Sequence, residues 1–143
     1  MRVWVVMIVG IGLDVVDLDR VERLLGQPSG RRFAERVLTK RELEQYLSLG
    51  PKRGLEFVAG RFAAKESVAK ALGCGIGAAV GFGDIEIGSD AAGRPVCVLS
   101  EESWRRLGRN GAHYRIHVAI THERRLAAAT AVLEYVGGNG EPV

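Results

Sequence analysis

The hydrophobic period of this chain changes once. It is near 3.6 residues before a glycine-rich segment at 73–83 and falls to two after it. Helical patterns therefore come first and strand patterns later, which favours an α+β fold over a doubly wound parallel sheet, where the two alternate.

Ahead of the helices lies an apolar run, Val3 to Leu13, that reads as a buried strand. It is too short to span a bilayer, lacks a small-x-small cleavage site and runs directly into Asp14 and Asp17, so a signal peptide fits poorly. Met7 is an alternative start, because Met7-Ile8-Val9-Gly10 already supplies the strand. Asp14 is expected to cap a helix with Val15, Leu18, Val21 and Leu25 at near-helical spacing and Asp17 in its first turn. Gly26-Gln27-Pro28-Ser29-Gly30 breaks that helix. A second is expected over 31–38, and Thr39-x-x-Glu42 forms a capping box that opens a third, stopped by Gly50-Pro51. The fourth and longest is expected from about Gly54 to Leu72. Beyond the glycine-rich loop, 84–88 and 95–99 read as a hairpin around Asp90-Ala91-Ala92-Gly93. Ser100 caps a short helix through Leu107, and strands follow at about 113–121 and 126–136.

The 143 residues suit one domain, 1–136, with a disordered tail at 137–143. With 47% hydrophobic and 26% charged residues the composition is that of an ordinary globular protein, and a net charge of +3 does not by itself call for nucleic acid. Cys74 and Cys97 stand outside any Cys-x-x-Cys pattern, as expected of free thiols in a reducing cytoplasm.

Two segments carry chemistry. Gly10-Ile11-Gly12-Leu13-Asp14 places one carboxylate where a strand leaves the core, and residues 61–71 set Glu66 among Arg61, Lys65 and Lys70 in a small-residue helix. Such a layout suits a divalent cation beside phosphates, since Mg²⁺ takes one or two protein carboxylates and leaves other positions to water and substrate. The bland reading of Glu66 and Lys70, at i and i+4, is a solvated salt bridge. Phe62 and Ala69 flank Glu66, however, and charges among apolar neighbours need partners. Arg61 and Lys65 are a like-charged i, i+4 pair, unfavourable unless an anion sits nearby. The loop at 73–83 matches neither the dinucleotide fingerprint nor a Walker A loop, so its default is turn chemistry. His113 and His117 fall on one strand roughly 13 Å apart, too far for one zinc ion. His122, at a strand end, is equally a site residue or a bland one. The basic run Arg31, Arg32, Arg36, Lys40 and Arg41 is either a solvated face or a dock for an acidic partner.

The order Gly-Ile-Gly-Leu-Asp, Arg-Phe-Ala-Glu-Arg-Val-Leu-Thr, Ala-Gly-Arg-Phe-Ala-Ala-Lys-Glu-Ser-Val-Ala-Lys-Ala, Gly-x-Gly-Ile-Gly, Asp-Ile-Glu-Ile and Val-Ala-Ile-Thr-His resembles the holo-acyl-carrier-protein synthase family of phosphopantetheinyl transferases. The likeness covers about residues 7–136. It implies a compact α+β fold, helices packed on an antiparallel sheet, that assembles as a homotrimer in the cytoplasm. It also implies transfer of phosphopantetheine from coenzyme A to a serine of apo acyl carrier protein, releasing an adenosine bisphosphate. Asp14 and Glu66 fall where the family holds Mg²⁺, and Lys70 falls at its active-site lysine. Arg61, Lys65, Gly73, Gly75, Ile76, Gly77, Thr121 and His122 match coenzyme A contacts, and Arg20, Arg32 and Phe33 match the surface that receives the carrier. By analogy with double-length relatives, His122 is expected to act across an interface on coenzyme A held by the neighbouring protomer. Ala119, Glu123 and the 26–30 loop depart from the usual pattern. Three other readings stand beside this one: a purely structural interaction protein, which would tolerate neutralising Asp14 and Glu66, a metal-dependent phosphohydrolase sharing those two carboxylates, and a nucleic-acid-binding module using the basic run. The 6% aromatic content, not interleaved with the basic residues, disfavours the last.

Overall fold

A computed structural model describes residues 5–137. The choice of start codon, the first residues of the apolar run and the tail from 138 onward lie outside them. Gly137, assigned to the tail, is buried against the Tyr135 ring.

Strand β1 (Met7–Asp17) runs further along the chain than its sequence implies. Gly12, Asp14 and Val16 alternate inward while Leu13 and Val15 point out, a period of two that continues past Asp14. Asp14 pairs with Ala129 in the ladder, so it caps no helix. The cap is Asp17, whose Oδ1 accepts the Asp19 N–H at 2.8 Å and opens α1 (Leu18–Gly26). Pairing along the β-branched Val15-Val16 overrode the local capping signal.

Helix α2 (Gly30–Val37) and α3 (Lys40–Leu47) follow as expected, the latter opened by the Thr39–Glu42 capping box. Helix α3 ends at Leu47, ahead of Gly50-Pro51, and helix α4 (Pro51–Ala71) begins earlier than expected, because Pro51 occupies the first helical position, which its fixed φ suits. The hairpin β2 (Ile85–Ser89) and β3 (Pro95–Leu99) and the Ser100-capped α5 (Glu101–Arg106) stand where the sequence puts them. A 3₁₀ turn over Gly111–His113 delays β4 (Tyr114–His122), and β5 (Leu126–Tyr135) completes the fold.

The sheet order is β1-β5-β4, antiparallel throughout, with β2-β3 forming a separate two-stranded sheet. The resulting α+β architecture has one dominant helix, α4, packed across the three-stranded sheet. Small residues set that spacing. Ala63, Ala64, Val68 and Ala71 of α4 meet Ala127, Ala129 and Ala131 of β5 in one core with Leu133 and Val58. Burial of each large aliphatic side chain there contributes about 1.5–3 kcal/mol. The closest approach is at Gly10 and Gly12: a methyl group on either would overlap the backbone carbonyl of Ala71 or of Ser67, respectively. That contact brings the middle of β1 alongside the last turns of α4. The opposite face of β1 is bare, with Ile11 68%, Leu13 61% and Val15 56% exposed. Among the described residues no helix is long and apolar enough to cross a membrane.

Candidate active site

Once β1 lies against α4, three of the singled-out side chains converge. Lys70 Nζ donates to Asp14 Oδ1 at 3.1 Å and to the Leu13 carbonyl at 2.9 Å. The lysine therefore pairs across elements with Asp14, and not with its helical neighbour Glu66 as a surface i, i+4 bridge. Glu66 is partly buried, and that burial, reinforced by the Asp14 carboxylate, raises its pKa above the ordinary value, with Lys70 opposing. All three line one cleft of about 760 Å³.

The other wall of the cleft comes from α1 and α2. Arg20 and Phe33 line it, joined by Arg36, one turn beyond Phe33 on the same face of α2. Arg32 is exposed and does not border the cleft. The floor is aromatic, with ring centroids 6.3 Å apart for Phe33 and Phe62 and 5.4 Å for Phe62 and Phe82. Of the glycine-rich loop, Ile76 and Phe82 line the cleft and none of its glycines does. Gly73 (φ +82°) and Gly75 (φ +66°) take the left-handed conformation that lets the chain turn there, and the Gly77 N–H donates to the Val80 carbonyl at 2.9 Å.

Lys65 is a correction. Its side chain is fully buried, and Nζ donates to Glu42 Oε1 at 2.6 Å and to the carbonyls of Val37 at 2.7 Å and Phe82 at 3.1 Å. With all three donors used it has none for a phosphate, so the expected coenzyme A contact does not fit. The anion demanded by the Arg61/Lys65 pair is Glu42. Arg61 lies 4.3 Å from the Phe57 ring centroid, and its Nη2 donates to the Ile87 carbonyl at 3.4 Å. Its Nε is buried without a hydrogen-bond partner, and desolvation pulls the guanidinium below its ordinary pKa against the pull of Glu42.

Thr121 and His122 sit elsewhere, at the exposed end of β4. His122 Nδ1 is 3.4 Å from Glu56 Oε2, in a hollow of about 410 Å³ that Lys52 and Arg124 also line. Glu56 precedes Glu66 on α4 by about 15 Å along the axis. His122 and Glu66 thus belong to separate parts of one chain. Lys52, Arg124 and the cleft-facing role of Arg36 escape the sequence reading, because nothing in their local spacing marks them. Cys74 and Cys97 are free thiols, and burial pushes Cys97 up to about 12.

The donor set suits a hard divalent cation. Asp14 and Glu66 offer oxygen ligands in one cleft, and the crowding that raises Glu66 is relieved by a positive charge. Among the described residues no group of three His, Cys, Asp or Glu side chains is placed to hold a metal, so an ion here takes its other ligands from water or substrate.

Comparison with known proteins gives a consistent result. A family model of the 4'-phosphopantetheinyl transferase superfamily matches residues 10–131. A holo-[acyl-carrier-protein] synthase of Geobacillus sp. (strain WCH70) is 45% identical, covering 90% of this chain and 98% of that protein. That of Bacillus subtilis (strain 168) is 46% identical over 90% and 97%. In structure, the holo-(acyl-carrier-protein) synthase of Bacillus anthracis, solved in complex with CoA (3',5'-ADP), matches with a TM-score of 0.76 at 41% identity over 90% and 98% of the two chains. The Neisseria meningitidis enzyme matches at 0.79 and 38%, over 89% and 98%.

Proposed function

The chain belongs to the 4'-phosphopantetheinyl transferase superfamily, and from that membership and the cleft we infer its reaction and the residues that carry it. The protein transfers the 4'-phosphopantetheine group from coenzyme A to a serine of apo acyl carrier protein. The serine oxygen forms a bond to the phosphorus bearing the pantetheine, the bond to the adenosine bisphosphate breaks, and the serine loses its proton.

One observation carries the residue assignment: Asp14, Glu66 and Lys70 meet at one end of a cleft whose opposite wall carries Arg20, Phe33 and Arg36. Asp14 and Glu66 hold Mg²⁺, which when bound neutralises pyrophosphate charge and stabilises the transferring phosphoryl group. The Lys70 ammonium, anchored on the Leu13 carbonyl, counters charge on the departing phosphate. Arg61, the 73–77 loop, Thr121 and His122 bind coenzyme A. Arg20 and Phe33, with Arg36, receive the acidic carrier, whose serine must reach the carboxylate end. Arg32 adds to that basic field from outside the cleft.

The unit we propose is one domain, residues 1–136, acting as a homotrimer in the cytoplasm. Support comes from the bare outer face of the sheet. Ile11 stands beside Val132 and Leu13 beside Thr130 on that face, an apolar stripe of the kind that marks subunit contacts. Assembly also answers the separation of His122 from Glu66, since a neighbouring protomer can bring one beside the other.

A metal-dependent phosphohydrolase would share the carboxylates, so the acceptor decides between the two. Incubation with coenzyme A and Mg²⁺ should release adenosine bisphosphate only when apo carrier protein is present; release without it would support hydrolysis.

A further inference from the structure

We infer that Lys65 is a positioning residue, one that sets the carrier-docking helix α2 and the aromatic floor of the cleft against the helix bearing Glu66; this rests on the carrier-protein reading above.

Lys65 and Glu42 are both buried, and their ion pair is the hub of a closed polar network. Lys65 Nζ binds the carbonyl of Val37, the last residue of α2, and that of Phe82, whose ring forms part of the cleft floor. Glu42 Oε1 also accepts the Thr39 N–H at 2.7 Å, and Oε2 accepts the Ile87 N–H at 2.9 Å. One side chain of α4 thereby fixes the end of α2 and the turn at Phe82 directly and, through Glu42, the start of α3 and the middle of β2. Adjacent positions on a helix diverge by about 100°, so Lys65 faces this network while Glu66 faces the cleft from the same turn.

Stability alone does not call for this arrangement. A well-packed apolar group often replaces a buried ion pair without loss, whereas three acceptors held on one ammonium fix directions that apolar packing leaves free. Two of the fixed elements face the cleft: α2 presents Phe33 and Arg36 to it, and Phe82 closes the Phe33–Phe62–Phe82 floor. Neither Lys65 nor Glu42 lines the cleft. Their influence on transfer therefore passes through the wall that meets the carrier.

The test compares wild type with Lys65→Met, Glu42→Gln and the double variant. Either single change strips the partner from a buried charge; the double change removes both charges, and its Tm should exceed that of Lys65→Met. If the pair serves stability alone, the folded double variant will load carrier like wild type, which overturns the assignment. A positioning role predicts that carrier kcat/KM stays depressed by about 100-fold in the double variant, while coenzyme A affinity is unchanged. It also predicts faster amide hydrogen exchange in α2 than in wild type. An equal loss of coenzyme A affinity would likewise overturn it. Should the double variant not fold, Glu42→Gln, whose one carbonyl oxygen can still accept from Lys65 while its NH₂ group faces the Ile87 N–H without accepting it, carries the same comparison; if it too unfolds, the pair is a requirement of the fold and not a positioning device. Wild type that fails to load any carrier would count against the functional reading, leaving the α2 exchange rates to judge the network by themselves.

Discussion

Lys70 Nζ stands 3.1 Å from Asp14 Oδ1 and joins the last turn of α4 to the middle of β1. The two residues are far apart in sequence, and they meet because Gly10 and Gly12 let the strand touch the helix backbone. The meeting of Asp14 and Lys70 depends on that missing pair of side chains.

Gly12→Ala should therefore damage the site without touching a charged group. Its methyl would overlap the Ser67 carbonyl, and relief requires strand and helix to part. A destabilisation of about 1–3 kcal/mol is expected in denaturant unfolding, with a higher Mg²⁺ requirement for transfer. Wild-type stability and metal dependence in this variant would show that the approach is slack.

Glu66 makes stability depend on pH. Burial and Asp14 raise its pKa in the folded state, so the folded protein binds this proton more tightly than the unfolded chain. Stability from this group is highest when it is protonated and falls as pH rises from the ordinary carboxylate range through the raised value. In metal-free buffer the Tm of wild type should drop relative to Glu66→Gln over that window and run parallel above it. A Tm difference that is constant across the window would contradict the assignment.

Charge reversal separates the two arginines that the sequence reading treated alike. Arg20 borders the cleft and Arg32 does not. Arg20→Glu should raise the carrier KM more than Arg32→Glu, and both should flatten the salt dependence of association while sparing coenzyme A affinity. Equal effects would place the carrier over the outer face of α2 instead of the cleft mouth.

His122 is predicted to serve the site of a neighbouring protomer, given its position about 15 Å along α4 from Glu66. Glu66→Ala and His122→Ala proteins, each inactive, should partly restore transfer when co-assembled, because some interfaces then pair an intact Glu66 with an intact His122. Mixed assemblies no more active than their parents, after subunit exchange is verified by mass, would put both residues in one protomer's site.

Much of this was legible in the sequence. The switch in hydrophobic period marks α+β, the Thr39–Glu42 box opens α3, and the Asp90–Gly93 turn closes the hairpin, all local signals with local outcomes. Asp14 misleads because a capping residue and a strand residue look alike until a partner strand exists; β5, more than a hundred residues away, decides. Lys65 misleads for a related reason. Its i, i+4 neighbour Arg61 suggests a phosphate, but the anion that answers it, Glu42, already serves a capping box in another helix. Arg36 and Lys52 carry no local signature and become visible only when the helices are packed.

Asp14 and Glu66 are predicted to support transfer of phosphopantetheine to a carrier protein. Mass spectrometry of apo acyl carrier protein, after incubation with coenzyme A, Mg²⁺ and this protein, measures it directly. Wild type should add one phosphopantetheine group per carrier in a reaction that chelator stops. Asp14→Ala and Glu66→Ala, folded and assembled as wild type, should be slower by about 100-fold or more. An unmodified carrier with wild type, or near-normal loading by Asp14→Ala, would contradict the account.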